Sequence, residues 1–414
     1  MKIVTRIKSL LYSLCALILA IAILIICTAR IHSAALDARI RAAIWDNVLA
    51  NTYIIDRNGQ PIYSGDYSPD DATRLSTFHL VGTKAAGITN SLLYEVLSDP
   101  PDYSRWTGYE PRAQTIELTI DLDMQKGAYT LLTNKGYNGC VIVSDYITGE
   151  ILTLVSTPCV DTVTGNTPEK SFINKATTAY VPGSVFKVIA AAAILEANRS
   201  AVTFTYNCTS KTHHITCFLN TAHGQQTLAQ ALSNSCNCAI STAAKTYLTP
   251  AMLNQYAENS GVLGNDIIAD LKIENGNIDS DDDLMWSANG QSKDMLTPLG
   301  VVSFYNAIAN NGTQKIMSIK KDTEAPEATR IMAESTSQFL ISSLKNVTAN
   351  YGFKYDCFGK TGTAQLGDSA SHAWFACCLT GEDAPPYTVL VFIEHGGNSG
   401  LAKELARDFI NNYI

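Results

Sequence analysis

The sequence predicts a mixed α/β (α+β) protein, in which a five-stranded antiparallel sheet is flanked by helices and an all-helical subdomain is inserted between its strands. Three observations lead there. Two strand-like runs, Val141–Asp145 and Ile151–Ser156, fall early in the chain around Thr148-Gly149. Three more, near Phe358–Ala364, His372–Leu379 and Tyr387–Glu394, fall late, before a helix from about Leu401. Between them Ser184–Ala197 is apolar on nearly every face, which marks a helix buried inside the molecule.

The segments before this domain differ in kind. From Ser9 to Ala29 no residue is charged, and leucine, isoleucine and alanine dominate. At about 1.5 Å per residue a helix of that length crosses the roughly 30 Å hydrocarbon core of a bilayer. A cleaved signal peptide is the alternative, with Ser33, Ala34 and Ala35 as small residues at a cut. Signal cores run only about 7–15 residues, so the segment is taken as a membrane anchor. Lys2, Arg6 and Lys8 before the span are nearly balanced by Arg30, Arg39 and Arg41 after it, so charge alone orients it weakly. Asn51–Ile55 and Gln60–Ser64 alternate like strands around the turn Asp56-Arg57-Asn58-Gly59. The expected division is 1–34 for the amino terminus and anchor, 35–112 for a small membrane-proximal module and 113–414 for the large domain.

Composition excludes some functions. With 46% hydrophobic residues, 16% charged residues and a net charge of −8, the chain lacks the basic stripe of a nucleic-acid binder. Asp279, Asp281, Asp282 and Asp283 do not follow an EF-hand spacing and are expected as a solvated acidic loop rather than a calcium site. Among eleven cysteines, Cys208 and Cys217 bracket a polar loop containing His213 and His214. A disulfide, two free thiols and a zinc site all remain open there.

The chemistry concentrates in Pro182-Gly183-Ser184-Val185-Phe186-Lys187, which opens the buried helix. Pro and Gly make a sharp entry, and Lys187 at i+3 lies on the same face as the Ser184 hydroxyl. A serine becomes a nucleophile when a base takes its proton, and a neutral lysine serves. Neutrality near pH 7 means lowering a lysine by about 3 pKa units, or roughly 4 kcal/mol, through burial and a second cation. Alone the pattern is weak, because Ser318/Lys321 and Ser342/Lys345 repeat it. Ser235-Cys236-Asn237 then offers a hydroxyl and an amide on a loop between two helical stretches; Ser287-Ala288-Asn289 matches the same short pattern. Cys236 is expected as a small packing group, with a redox role as the alternative. Lys360-Thr361-Gly362-Thr363 falls in a predicted strand, where the glycine lets another backbone come close and the lysine and hydroxyls hold an anionic carboxylate.

Ser-x-x-Lys on a helix, Ser-x-Asn on a loop and Lys-Thr-Gly on a strand, in that order, resemble the penicillin-binding proteins and serine β-lactamases, and specifically the class B transpeptidases. Thr119-Ile120-Asp121, Thr148-Gly149-Glu150-Ile151, Gly290-Gln291, Thr297-Pro298-Leu299, Ala309-Asn310-Asn311-Gly312, His79-Leu80-Val81-Gly82 and Ala373-Trp374-Phe375 look like further landmarks of that family. Two departures stand out. The Arg-Gly pair often found before the Asp-Arg-Asn-Gly turn is Asn51-Thr52, and the amino-terminal module is short.

The resemblance implies a peptidoglycan D,D-transpeptidase that acts through a serine acyl-enzyme and is inhibited by penicillin and other β-lactams. Ser184 is the implied nucleophile and Lys187 its base. Ser235 and Asn237 relay protons and position the lysine and the substrate amide. Lys360 is the second cation and holds the substrate carboxylate with Thr361 and Thr363, and Gly362 completes the strand. The backbone N–H groups of Ser184 and Thr363 form the implied oxyanion hole. The partners are stem peptides ending in D-Ala-D-Ala, the cytoplasmic membrane and a lipid-linked glycan polymerase, with no cofactor, metal or nucleic acid. The catalytic domain is then extracytoplasmic on a single-pass anchor. Hydrolysis of the same intermediate, as a D,D-carboxypeptidase or β-lactamase, is the nearest alternative. An inactive penicillin-binding scaffold is another. The anchor, the intervening module and Ala373-Trp374-Phe375 favour transfer, and no deacylating carboxylate motif follows Asn237.

Overall fold

In the computed structural model, which describes residues 2–65, 70–82, 91–93, 96, 113–264, 271–274, 276–291, 293–321, 328–367 and 369–414, the chain begins with one long helix, α1 (Lys2–Ala50). Its segment Arg6–Arg30 contains an 18-residue window with a mean hydropathy of 3.0 and is long and apolar enough to cross a membrane. The helix continues unbroken to Ala50, where Thr52 Oγ1 donates to Val48 O at 2.7 Å and fixes the entry to strand β1 (Thr52–Ile55). Strand β2 (Pro61–Ser64) returns antiparallel through the Asp56 turn, in which Asn58 N and Gln60 N donate to Asp56 Oδ1 and Gly59 takes a φ of +81°. Strand β3 (Gln114–Glu117), from the start of the predicted large domain, joins β1 in parallel. Much of the predicted module, at 83–90 and 97–112, lies outside the described residues.

Helix α2 (Leu122–Asn134) starts at Asp121, whose carboxylate accepts from Asp123 N and Met124 N. Then comes the hairpin of β4 (Gly139–Asp145) and β5 (Ile151–Thr157), turning at Gly149 with φ +85°. The helical insertion contains α3 (Phe186–Ala197), α4 (Leu228–Ser233), α5 (Asn237–Tyr247), α6 (Pro250–Asn259), α7 (Ser280–Ser287) and α8 (Pro298–Ala309), followed by α9 (Glu334–Thr348). Strands β6 (Asp356–Leu366), β7 (Ser369–Thr380) and β8 (Tyr387–Ile393) complete the sheet before α10 (Ser399–Tyr413).

The sheet has the order β6-β7-β8-β4-β5, antiparallel throughout, with β8 paired to β4 so that Leu390 faces Ile142. Each strand buries both faces. One packs on α2 and α10 through Val141, Val143, Phe375, Leu405 and Phe409; the other packs on α3 and α8 through Ile142, Leu154, Phe186 and Phe304. Each such side chain contributes about 1.5–3 kcal/mol on burial, which fixes the sheet as a rigid base for what lies above it. The acidic run expected as a loop instead starts α7: Asp283 Oδ1 accepts from Met285 N and Trp286 N, so it caps a helical turn. The side chain of Asp282 lies outside the described residues.

Candidate active site

Ser184 sits in a single 3-10 turn, Gly183–Val185, that runs straight into α3. Three glycines let this turn approach its neighbours at backbone distance. Gly183 has φ +58°, and a Cβ there would lie 2.9 Å from the Thr363 backbone. A Cβ on Gly362 would come 2.9 Å from Pro182 O, and one on Gly290 2.2 Å from Gly183 O. Gly183 N donates to Gly290 O at 2.8 Å. The nucleophile turn is therefore held between strand β6 and the loop after α7, which is the role expected of a glycine inside a strand. From β7, Trp374 donates its indole N–H to Val181 O at 3.0 Å and holds the approach to the turn.

Lys187 Nζ donates to Ser184 Oγ at 2.6 Å, while the lysine itself is 1% exposed. Burial pushes Lys187 well below the usual lysine range and the Lys360 ammonium pushes it further; the thiols of Cys236 and Cys217 act in the opposite sense. Lys360 is equally buried, and burial with a smaller push from Lys403 brings it down to about 7. Its ammonium donates to Thr361 O at 3.1 Å. The two lysines thus lie beneath the surface, and the hydroxyls lie above them.

Above them opens a cleft of about 700 Å3 whose lining includes Ser184, Ser235, Asn237, Thr361 and Thr363. Ser235 connects α4 to α5 with a φ of +55°, a strained backbone for a side chain other than glycine. Asn237 opens α5 and donates Nδ2 to Thr216 O at 2.8 Å. Among the described residues, Nζ of Lys187 bonds to Ser184, and neither Ser235 nor Asn237 bonds to it. Gly362 is buried between the two threonines and faces the nucleophile turn. The arrangement supplies a hydroxyl, a base that loses its proton easily, polar groups on both walls and a buried cation.

The repeats of the motifs have other tasks. Ser287 donates to Asp294 and Asn289 donates to Ser241, all within the buried core of the insertion. Lys321 pairs with Glu117 at the surface.

A feature that spacing concealed lies behind Ser235. Cys208 and Cys217 are not bonded, with 3.6 Å between their sulfurs. The histidine beside them is His223, its Nδ1 3.6 Å from Cys208 Sγ, and neither of the two histidines within the loop. His213 instead contacts Lys245 and His214 pairs with Asp283. Cys236 joins the group, 3.7 Å from Cys217. Cys238 also lies 3.5 Å from Cys217 and donates to Ile215 O, so the four cysteines between 208 and 238 all meet, and the folded hairpins select which histidine joins them.

The chain matches the family pattern described as the penicillin binding protein transpeptidase domain over residues 139–411. It is 26% identical over 344 residues to the peptidoglycan D,D-transpeptidase PbpA of Mycolicibacterium smegmatis, covering 71% of this chain and 70% of that protein. The crystal structure of PBPA from Mycobacterium tuberculosis superimposes with a TM-score of 0.74 at 21% identity, covering 87% of this chain and 98% of that one. The penicillin G acyl-enzyme complex of that protein superimposes with a TM-score of 0.69 at 21% identity over the same shares.

Proposed function

Since this chain belongs to the penicillin-binding protein transpeptidase family, we propose that it is a peptidoglycan D,D-transpeptidase that cross-links stem peptides through an ester on Ser184. The single observation that carries this reading is the 2.6 Å hydrogen bond between Ser184 and a fully buried Lys187 at the floor of the cleft. Neutral Lys187 takes the Ser184 proton as Oγ attacks the carbonyl carbon between the two terminal D-alanines of a stem peptide. The backbone N–H groups of Ser184 and Thr363 receive the developing oxyanion, each such donor being worth about 3 kcal/mol in the transition state. The C–N bond then breaks, the leaving amine takes the proton, and D-alanine departs. An amine from a neighbouring stem attacks the ester, Ser184 Oγ leaves, and its proton returns. Ser235 and Asn237 relay that proton and orient the substrate amide. Lys360, Thr361 and Thr363 hold the terminal carboxylate, with Gly362 keeping the strand close.

This chemistry requires the substrate side of the membrane, so the amino terminus lies inside and the catalytic domain outside, carried by the apolar helix. Residues 1–34, 35–112 and 113–414 are the corresponding anchor, pedestal and catalytic domain. A lipid-linked glycan polymerase is the natural partner, since it produces the strands whose stems are joined.

Incubation of the full chain in detergent with benzylpenicillin, followed by intact mass and peptide mapping, tests the assignment. The expected adduct lies on Ser184 and persists. An adduct on Ser318 or Ser342, or none on folded protein, overturns it. A stem-peptide mimic with excess amine acceptor is expected to give transfer product; rapid penicillin turnover with only hydrolysed peptide would favour the hydrolase reading instead.

A further inference from the structure

Four side chains from four separate stretches converge behind the loop of Ser235 and Asn237. Cys208 ends the strand Thr205–Cys208, Cys217 follows the small hairpin 211–216, His223 precedes the strand Gly224–Thr227, and Cys236 caps α5. Their four ligand atoms all lie within 4.8 Å of one another. The three cysteines are buried and His223 is half-buried. Such a gathering of soft donors in a small volume asks for an explanation.

The edge lengths supply one. A tetrahedral zinc ion with Zn–S bonds of about 2.3 Å and a Zn–N bond of about 2.0 Å holds its sulfurs about 3.8 Å apart, and sulfur from nitrogen about 3.5 Å. The structure has 3.6 Å for Cys208 to Cys217, 3.7 Å for Cys217 to Cys236 and 3.6 Å for Cys208 to His223 Nδ1. A disulfide would need about 2.05 Å. The environment also suits a bound thiolate, because Ala239 N–H donates to Cys236 Sγ at 3.4 Å. Three thiolates and an imidazole form the donor set of closed structural zinc sites.

We propose that Cys208, Cys217, His223 and Cys236 bind one zinc ion, which clamps the hairpin segment 208–224 to the start of α5. Binding releases the three thiol protons to solvent and uses the neutral His223 Nδ1 lone pair. All four positions around the ion come from the protein, so the site has no open position for substrate and its role is structural. The clamp reaches the cleft directly. Thr216, Phe218 and His223 line one wall, and Asn237 is bonded to Thr216 O. Zinc thereby sets the distance between that wall and Ser235. The metal site stands on geometry alone, whereas its effect on acylation rests on the function proposed above.

The test uses the full chain purified in detergent without chelators and with zinc supplied. Elemental analysis is expected to find about one zinc per chain, and X-ray absorption to find three sulfurs and one nitrogen around it. Cobalt added to the metal-free wild type should give a thiolate-to-cobalt charge-transfer band that zinc abolishes, a readout that requires no variant. Cys236→Ser and His223→Ala should lose most of the zinc, while Cys140→Ser keeps it. Chelation should slow benzylpenicillin acylation roughly tenfold, with recovery on adding zinc. Absent zinc with freely alkylated thiols, or a Cys208–Cys217 disulfide in peptide mapping, overturns the metal site. Stoichiometric zinc whose removal leaves acylation unchanged overturns the clamp. Stoichiometric zinc in a folded chain that never acylates supports the metal site and refutes the function.

Discussion

On α3 and on α9 the same Ser-x-x-Lys spacing meets two different surroundings. At the start of α3, Lys187 is buried, bonded to Ser184 and pressed by a second buried lysine. On α9, Ser342 and Lys345 are both exposed, and Ser342 Oγ donates back to Phe339 O in its own helix. The spacing brings a hydroxyl and an amine to one face in both cases. Only desolvation and a neighbouring charge make the amine a base, and both are supplied by distant strands rather than by the motif. A four-residue pattern therefore specifies proximity, and tertiary burial specifies reactivity.

The largest test of this contrast is catalytic. Ser184→Ala should abolish benzylpenicillin acylation, and Lys187→Arg, which keeps its charge, should slow it on the order of a thousandfold. Ser342→Ala and Lys345→Met should leave the rate within about twofold. A comparable loss from Lys345→Met, measured by adduct formation over time, would erase the distinction between the two helices.

The glycine contact gives an intermediate effect. Gly362→Ala adds a Cβ 2.9 Å from Pro182 O and must displace the nucleophile turn. Acylation should fall about a hundredfold with Ser184 and Lys187 both intact. A normal rate in that variant would mean that the turn does not depend on the close approach of β6.

Burial of the two lysines also predicts how stability varies with pH. Lys360 is brought down to about 7 in the folded chain from an ordinary 10.5, so between those values the unfolded state binds more protons. Stability should therefore rise with pH across that window, by at most about 1.4 kcal/mol per pH unit for each such lysine. Lys187, lowered in the same direction, adds to the slope. Denaturant midpoints at pH 7.5 and 9.5 should converge in Lys360→Met relative to the wild type, and Lys345→Met should keep the wild-type difference. The smallest expected effect is that of Ser342→Ala on stability, within about 0.5 kcal/mol in either direction at constant pH.

The sheet was legible because its strands are long, apolar and punctuated by turns such as Thr148-Gly149, so periodicity located each strand to within a few residues. Ser184, Ser235, Asn237, Thr361 and Thr363 could be picked out because three short motifs come in a fixed order, and the structure brings these residues to one cleft. What could not be seen depends on long-range approach. Nothing local in Trp374 announces that its indole supports Val181, almost two hundred residues earlier in the chain. His213 and His214 lie nearer Cys208 and Cys217 in the sequence than does their actual neighbour His223, because the small hairpin turns the first two outward. The acidic run at 279–283 departs from the expected loop for a related reason: Asp283 stabilises the helical turn that follows it.

Helix α1 has a mechanical consequence. It leaves its apolar stretch at Arg30 and stays helical to Ala50, so at about 1.5 Å per residue it forms a strut roughly 30 Å tall. The upper end of that strut is not free to swivel, because Val48 and Leu49 are buried and Gly65 sits so close to Ala50 that no Cβ would fit. Height and azimuth are then coupled, since each added residue lifts the domain by about 1.5 Å and turns it by about 100°. Inserting one residue after Ala35 would aim the cleft in a different direction around the membrane normal, whereas inserting about seven would nearly restore the bearing and raise it by about 10 Å. The strut thus works as a gauge for both the height at which the cleft stands above the apolar stretch and the bearing on which it faces.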